Sequence, residues 1–356
     1  MSSLNPSQKF NAEDLLQFAY RILKQGGLDS GKAQIVAKTL LESDLMGHPT
    51  HGLALLHPYV KELESGGMNP TGEPEVIQDK ASTLTWNGRH LPGAWLTHKA
   101  IDLALERIKS HPIITVVIRQ SHHIGCLAAY PERATEKGLV MLLACADPKY
   151  NRVAPFGGLT GVYSPNPIAA GFPTLSEPII FDISTSATAG GVINKAYKEN
   201  THLPHPWLLD NQGNPTADPK TFFSETPSTI LPLGGLDTGY KGFALGIMVD
   251  ALTLALGGRG RADEPEGWES SVFLQIIDPE HFSGLDKFTR ETQHLKDQCL
   301  ASTTPPNHPP VRMPGDRALQ LRAEQLKKGV RLDAVIVRAL LALADKYQVS
   351  IPESLE

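Results

Sequence analysis

The sequence has little cysteine and no long apolar run. Its three cysteines, Cys126, Cys145 and Cys299, stand far apart in 356 residues and form no C-x-x-C pair. This spacing argues against a zinc site or a disulfide framework and favours a reducing compartment. No apolar run approaches the ~20 residues that span a bilayer, and MSSLNPSQKF at the start has no basic-then-apolar signal region. We therefore expect a cytoplasmic protein.

Common catalytic and nucleotide-binding motifs are also missing. There is no P-loop, no HExxH and no GxSxG. The nearest match to a Rossmann fingerprint, GGRGRA at 257–262, follows a helical pattern instead of a strand, so it lacks the context that this motif requires. The net charge of -5 is too small to indicate a nucleic-acid or membrane surface. Small molecules are the expected partners, and no metal site is indicated.

The first 67 residues carry the apolar spacing of three amphipathic helices. Ser30 is a candidate N-cap for the second helix, and glycine pairs at 26–27 and 66–67 end the first and third. The apolar faces of those two helices consist of Leu15, Phe18, Ala19, Ile22 and Leu23, and of Leu53, Leu56, Tyr59, Val60 and Leu63.

From about residue 75, short apolar runs alternate with helical patterns. Strands are predicted at 82–86, 113–118, 139–146, 178–183 and 272–277, and helices at 94–109, 126–137 and 241–256. A proline-rich segment at 303–316 precedes two more helices, at 316–328 and 332–347. The pattern predicts an α/β (α+β) chain, with a helical domain from 1–74 plus 310–356 and an α/β domain at 75–309.

Four polar clusters remain as candidates for chemistry: GHPTHG at 47–52, SHHIG at 121–125, FDISTSATAGG at 181–191 and GYKG at 239–242. Each has an ordinary structural interpretation when taken alone. His51 could cap a helix, one of the paired histidines could point into the core, the S-T-S triplet could be an N-cap, and Lys241 could be surface charge.

In combination with their neighbours, these clusters resemble consecutive blocks of the malate/L-lactate dehydrogenase family. That family includes sulfolactate and ureidoglycolate dehydrogenases, diketogulonate reductase and piperideine-carboxylate reductase, and it is unrelated to the Rossmann-type lactate and malate dehydrogenases. The six blocks, in order, are SDLMGHPTHGLALLHPYVKELESGGMNP, SHHIGCLAAYPERATEKGL, VAPFGGLTGVYSPNPIAAGFP, FDISTSATAGGVI, LLDNQGNPTADP and LPLGGLDTGYKGFALGIMVDAL.

The resemblance implies a central mixed, mostly antiparallel sheet, a helical domain made from both chain ends, and a homodimer that uses NADPH or NADH. It also implies catalytic roles for His51 and for His123, which Gly125 follows at the family's spacing. Imidazole can donate or accept a proton near neutral pH. His122 is then a bystander.

The resemblance further assigns a set of cofactor-binding residues. We expect the backbone N–H groups at a helix start in the S-T-S triplet to add an anion site. The assigned residues are Asp182, Ile183, Ser184, Thr185, Ser186, Lys241, Gly242, Pro314 and Gly315.

On the substrate side the chain departs from the family pattern. Leu55 stands where the family has a carboxylate-binding arginine, and leucine cannot form that charge-assisted bond. Thr50 replaces a serine, Pro165 the threonine before Asn166, and Val192 a lysine. With Leu55, Thr50 and Asn166 as substrate residues, we expect an apolar pocket that does not take a simple 2-oxo acid.

Two other functions stay open at this stage. One is a redox-neutral isomerase or cyclase with a vestigial cofactor site, which the loss of charge at Leu55 permits. The other is a non-catalytic dimeric binding protein, against which the intact His51 and His123 argue.

Overall fold

A mixed sheet of seven strands forms the centre of the computed structural model, which describes residues 8–355. Neighbouring strands are antiparallel except for one parallel pair, Thr83–Asn87 with Ile113–Ser121. The mostly antiparallel, non-Rossmann sheet expected from the resemblance is confirmed. In spatial order the strands are β2 (Glu75–Asp79), β3 (Thr83–Asn87), β4 (Ile113–Ser121), β11 (Ser270–Ile277), β5 (Val140–Ala146), β6 (Ile168–Phe172) and β7 (Ile179–Ile183).

Helices cover both faces of this sheet. Alternate side chains of a strand point to opposite faces, so Val272 and Leu274 pack with helix α4 (Gly93–Arg107), whereas Phe273 packs with Val249 on the other side. Val249 belongs to helix α7 (Gly235–Asp250), which continues as one π-helical segment, Ala251–Ala255. Burial on both faces explains why the central strands contain so few polar residues.

The two ends of the chain share one hydrophobic core. It runs from Phe10 to Met68 and again from Val330 to Val349. The terminal strands β1 (Gln8–Phe10) and β12 (Val330–Leu332) pair antiparallel beside it. This shared core is what a discontinuous helical domain requires, although its exact borders stay a prediction. Its helices are α1 (Ala12–Gln25), α2 (Ser30–Leu45), α3 (Leu56–Ser65) and α10 (Ala334–Tyr347).

The remaining elements include α5 (Glu132–Thr135), which packs on β5 and β6, and α9 (Asp316–Lys328), which packs on α2, together with those around a third core. That core includes Val153, Tyr163, Ile193 and Phe222. None of the helices within 8–355 combines the length and the apolar character that a bilayer crossing needs. The other elements are α6 (Gly190–Glu199), α8 (Leu285–Leu300) and the three short strands β8 (Leu208–Leu209), β9 (Pro215–Thr216) and β10 (Thr229–Ile230).

Several predicted boundaries are wrong. Asp29, not Ser30, caps α2, because its carboxylate accepts the N–H groups of Gly31 and Lys32. The helix predicted at 126–137 is a 3₁₀ turn, Leu127–Ala129, followed by α5. The helix predicted at 241–256 already begins at Gly235, and the last helix begins at Ala334 because 330–332 form β12.

Candidate functional site

A cleft of about 750 Å³ brings seven of the fourteen predicted site residues together. We call it the histidine cleft, because both His51 and His123 line it. Asp182 lies at the end of β7 on its wall, and the start of α6 forms another part of that wall. The other predicted residues that line it are Thr50, Leu55, Asn166 and Ser184, together with Pro165 and Val192.

A buried carboxyl group holds the loop that carries His51. Asp44, near the end of α2, accepts the Leu53 N–H at 2.6 Å. A side chain on Gly52 would overlap the Asp44 carboxyl, so this close approach requires glycine. Burial raises the pKa of Asp44 to about 8, so the group is a neutral acid at pH 7. The loop is thus held by a hydrogen bond without placing a negative charge beside His51.

The two adjacent histidines point to different places. His122 is fully buried, and within the described part of the chain neither of its ring nitrogens has a hydrogen-bond partner. Its ring lies 4.9 Å from that of Trp268, and burial lowers its pKa to about 3. His123, in contrast, lines the cleft. This placement is what the bystander interpretation of His122 requires.

His51 and His123 stack on each other, with ring centroids 5.7 Å apart and planes 27° from parallel. The Nδ1 atom of His123 lies 2.8 Å from the Tyr59 hydroxyl and 3.3 Å from the Gly125 amide nitrogen. A backbone N–H can only donate, so Nδ1 is an acceptor and the neutral ring carries its proton on Nε2. The hydrogen bonds therefore fix one tautomer of His123.

Their surroundings make the two histidines electrostatically different. Burial lowers the pKa of both. For His51 the nearby Asp182 carboxylate opposes this effect, whereas for His123 the neighbouring His51 and His122 depress the pKa further. His51 is thus the easier of the two to protonate.

Asp182 also connects the cleft to the segment after His123. Its Oδ2 atom accepts the Ala128 N–H at 3.0 Å and the Cys126 thiol at 3.4 Å. Burial raises the pKa of Cys126, so the thiol keeps its proton and can donate it. The strand that carries Asp182 therefore positions the turn that follows His123.

The S-T-S triplet does not start a helix, and that prediction is wrong. Its hydroxyls bond locally: Ser184 and Thr185 donate to the Pro165 carbonyl at 3.0 and 2.9 Å, and Ser186 donates to the Thr188 carbonyl at 2.7 Å. Such local bonds compete with helix formation. Helix α6 begins only at Gly190, so it is residues 189–192 at its start that line the cleft.

Seven predicted cofactor residues do not line the cleft: Ile183, Thr185 and Ser186 in the segment after Asp182, and four residues elsewhere in the chain. Lys241 is exposed on α7, 5.8 Å from the centre of the Tyr240 ring. Gly242 packs against the backbone of Leu233, and the Leu233 N–H donates to the Thr185 carbonyl. Leu233 therefore separates Gly242 from the S-T-S triplet. Gly315 and the preceding Pro314 lie against β7, with Gly315 at φ +92° beside the Ile180 carbonyl. Their cofactor roles stay predictions.

Asn166 lines the cleft, but its amide group is engaged within the protein. Its Nδ2 atom donates to the Gly246 carbonyl at 2.9 Å and to Asp250 at 2.8 Å, and its Oδ1 atom accepts from Ser164 at 2.5 Å. These bonds tie the cleft to α7. A substrate contact of this side chain stays a prediction.

Sequence reasoning missed Arg152 and Trp268, which line the cleft, and Tyr59, which contacts His123 from outside it. Tyr59 was assigned only to an apolar helix face, although a hydroxyl in a buried position needs a partner and was a usable signal. Arg152 and Trp268 lie in irregular segments where no periodicity points to them. The fold alone brings these residues to the histidines.

Comparisons with known proteins agree with this fold. Residues 10–341 match the family model described as malate/L-lactate dehydrogenase. An L-lactate dehydrogenase from Cupriavidus necator is 31% identical, over 97% of this chain and 99% of its own. A malate dehydrogenase structure from Entamoeba histolytica has a TM-score of 0.91 over 98% and 100% of the chains, but at 24% identity it shows the fold alone.

A third relative is named as a reductase and not as a dehydrogenase. The structure of a Δ1-piperideine-2-carboxylate reductase from Pseudomonas syringae covers 95% of this chain and 100% of its own, with a TM-score of 0.83 and 27% identity. The family model and the 31% identity extend over nearly the whole chain. The chain therefore belongs to the malate/L-lactate dehydrogenase family and is an enzyme of the dehydrogenase/reductase class.

Proposed function

We propose that the protein transfers a hydride between NADH or NADPH and a small molecule that carries a carbonyl, a hydroxyl or a cyclic imine, with histidine as proton donor or acceptor. The observation that carries the proposal is the stacked pair His51 and His123 in one cleft with Asp182. Family membership supports hydride chemistry, and the piperideine-carboxylate reductase relative supports an imine as one substrate type.

The residues present fit a nicotinamide cofactor. Gly190 and Gly191 at the start of α6 line the cleft, and the first N–H groups of a helix have no partner within it, so they suit an anionic or carbonyl oxygen. When bound, the cofactor supplies or accepts the hydride. The residues proposed to hold it are the segment Asp182, Ile183, Ser184, Thr185 and Ser186, with Lys241, Gly242, Pro314 and Gly315.

The two histidines would divide the proton chemistry. As the reacting carbon is reduced, its oxygen or nitrogen needs a proton. His51 supplies it, because Asp182 favours its protonated form, and in the oxidation direction His51 takes the proton back. His123 holds the same heteroatom by donating a hydrogen bond from Nε2, since Tyr59 and Gly125 occupy Nδ1.

The substrate side of the cleft supports a molecule other than a simple 2-oxo acid. Leu55 lines the cleft beside Thr50, and it offers no charge to a carboxylate at that position. We infer that the part of the substrate next to Leu55 is apolar or neutral.

A homodimer is part of the same proposal. Helix α7 exposes an apolar face whose side chains are about half accessible, and a contiguous apolar patch of this kind marks an association surface. A monomer by analytical ultracentrifugation at micromolar concentration would contradict it. The residues of this face are Leu236, Tyr240 and Ile247.

Cofactor binding can be tested directly, because Trp268 lies 4.9 Å from His123. We expect energy transfer from Trp268 to bound NADH or NADPH in the wild type, and its loss in Trp268→Phe. Oxidation of the cofactor by 2-oxo acids, neutral ketones and cyclic imines then identifies the substrate class. Absence of cofactor binding by calorimetry would contradict the proposal and favour a redox-neutral enzyme or a binding protein.

A further inference from the structure

Arg152 brings a positive charge to the histidine cleft without an acidic partner. It lines the cleft, and among residues 8–355 it forms no ion pair. Other partly buried arginines do: Arg259 pairs with Glu269 at 3.2 Å and Arg261 with Asp250 at 2.9 Å. A partly desolvated cation without a counter-charge is unfavourable, so a ligand that supplies one would bind with little competition.

The guanidinium group is held in place by neutral contacts. Its Nη2 atom donates to the Phe222 carbonyl at 2.7 Å, and its central carbon lies 4.1 Å from the centre of the Phe222 ring. The Tyr150 hydroxyl is a further neutral neighbour of this group. A planar guanidinium held in this way matches the two oxygens of a carboxylate or sulfonate. Arg152 is therefore oriented before any ligand arrives.

Arg152 and Leu55 belong to different walls of the cleft. Leu55 packs against the core formed by the two chain ends. Tyr150, next to Arg152 in the chain, packs in the core around Phe222, and its hydroxyl lies against Gly190 at the start of α6. The cleft is thus apolar where Leu55 lines it and cationic where Arg152 lines it. The positive charge missing at position 55 is replaced by one on another wall of the cleft.

We propose that Arg152 binds a carboxylate or sulfonate of the substrate at a point separate from the carbon that reacts beside His51 and His123. This inference rests on the proposed function. It names the substrate class as an oxo or imino compound with an apolar part next to Leu55 and an anionic group toward Arg152.

The test uses the full-length protein and pairs of probes in which an acid is compared with its uncharged methyl ester. The acids are 4-oxopentanoate, 5-oxohexanoate and 2-oxoglutarate. The binding of acids and esters to the protein, with and without NADPH, is measured by calorimetry. We expect at least one acid to bind the wild type about tenfold or more tighter than its ester, and Arg152→Met to remove this preference. Arg152→Lys should keep part of it.

Lys149→Met is the matched control. Lys149 lies on the same loop but pairs with Glu266 outside the cleft, at 2.6 Å, so its loss changes the net charge equally without changing acid binding. NADPH affinity, followed by energy transfer from Trp268, should be unchanged in Arg152→Met.

Three results would overturn the inference. They are equal binding of acids and esters by the wild type, equal weakening of both by Arg152→Met, and a loss of NADPH affinity in Arg152→Met with acid binding retained. The second would make Arg152 only a support for Phe222, and the third would assign it to a cofactor phosphate. None of these depends on turnover, so failure of the proposed function is detected separately, by absent NADPH binding in the wild type.

Discussion

The histidine loops and the S-T-S segment lie at the same cleft, which Ser184 alone of the triplet lines, yet they use their polar side chains differently. Thr185 and Ser186 are buried, and their hydroxyls bond to neighbouring carbonyls. In the His123 ring, Nδ1 is hydrogen-bonded to the protein, and Nε2 is available to a ligand in the cleft. Counting donors and acceptors therefore separates the residues that shape the site from those that are free to act in it.

The strongest test of this contrast compares the two adjacent histidines. We expect His123→Ala to lower kcat/KM by about 10²-fold or more, the usual scale for losing a positioned hydrogen-bond donor to the charge that develops on the heteroatom. His122→Ala should leave kcat nearly unchanged. It should instead lower the melting temperature, because it empties a buried space beside Trp268. Equal losses of activity in both variants would remove the distinction between them.

Leu55→Arg tests the apolar wall. We expect about ten- to hundredfold tighter binding of small 2-oxo acids such as pyruvate, since a charge-assisted hydrogen bond becomes available. Turnover of the native substrate should fall. Efficient pyruvate or oxaloacetate reduction by the unmodified enzyme would contradict our interpretation of Leu55.

Tyr59→Phe should have a smaller effect, about tenfold in kcat, because it removes one of the two donors to His123 Nδ1. The readout specific to positioning is the ¹⁵N chemical shift of the ring. Loss of the hydroxyl should let the proton populate Nδ1 as well as Nε2. An unchanged tautomer would show that Gly125 suffices.

The smallest effect is expected in the S-T-S segment. Thr185→Ala should cost about 1 kcal/mol of unfolding free energy and leave NADPH affinity unchanged, since the hydroxyl bonds the Pro165 carbonyl and only the backbone of Thr185 is left to contact the cofactor. Ser184→Ala, at a residue that lines the cleft, should weaken NADPH binding a few-fold. A larger effect on NADPH from Thr185→Ala would contradict the hydrogen-bond accounting.

The sequence allowed prediction of the helix faces, because burial on one side imposes a period. It also indicated five of the seven sheet strands, because burial on both faces leaves short apolar runs, but it did not indicate β2 and β6. It did not indicate β1 and β12, whose pairing joins Gln8 to Leu332 across the chain and depends on the tertiary fold. The same limit applies to the site. Short motifs located His51 and His123, whereas long-range packing alone brings Trp268 and Arg152 to the cleft and Tyr59 to His123.

The neutral carboxyl group of Asp44 makes the stability of the loop around His51 depend on pH. The folded pKa is raised, so the folded state holds a proton that the unfolded chain has lost, and this contribution to stability declines as pH rises from about 4 through about 8. The ionised group would have no buried cation beside it, and the loop around His51 would detach before the sheet melts. Mild alkali should therefore inactivate the enzyme reversibly while its circular dichroism stays native.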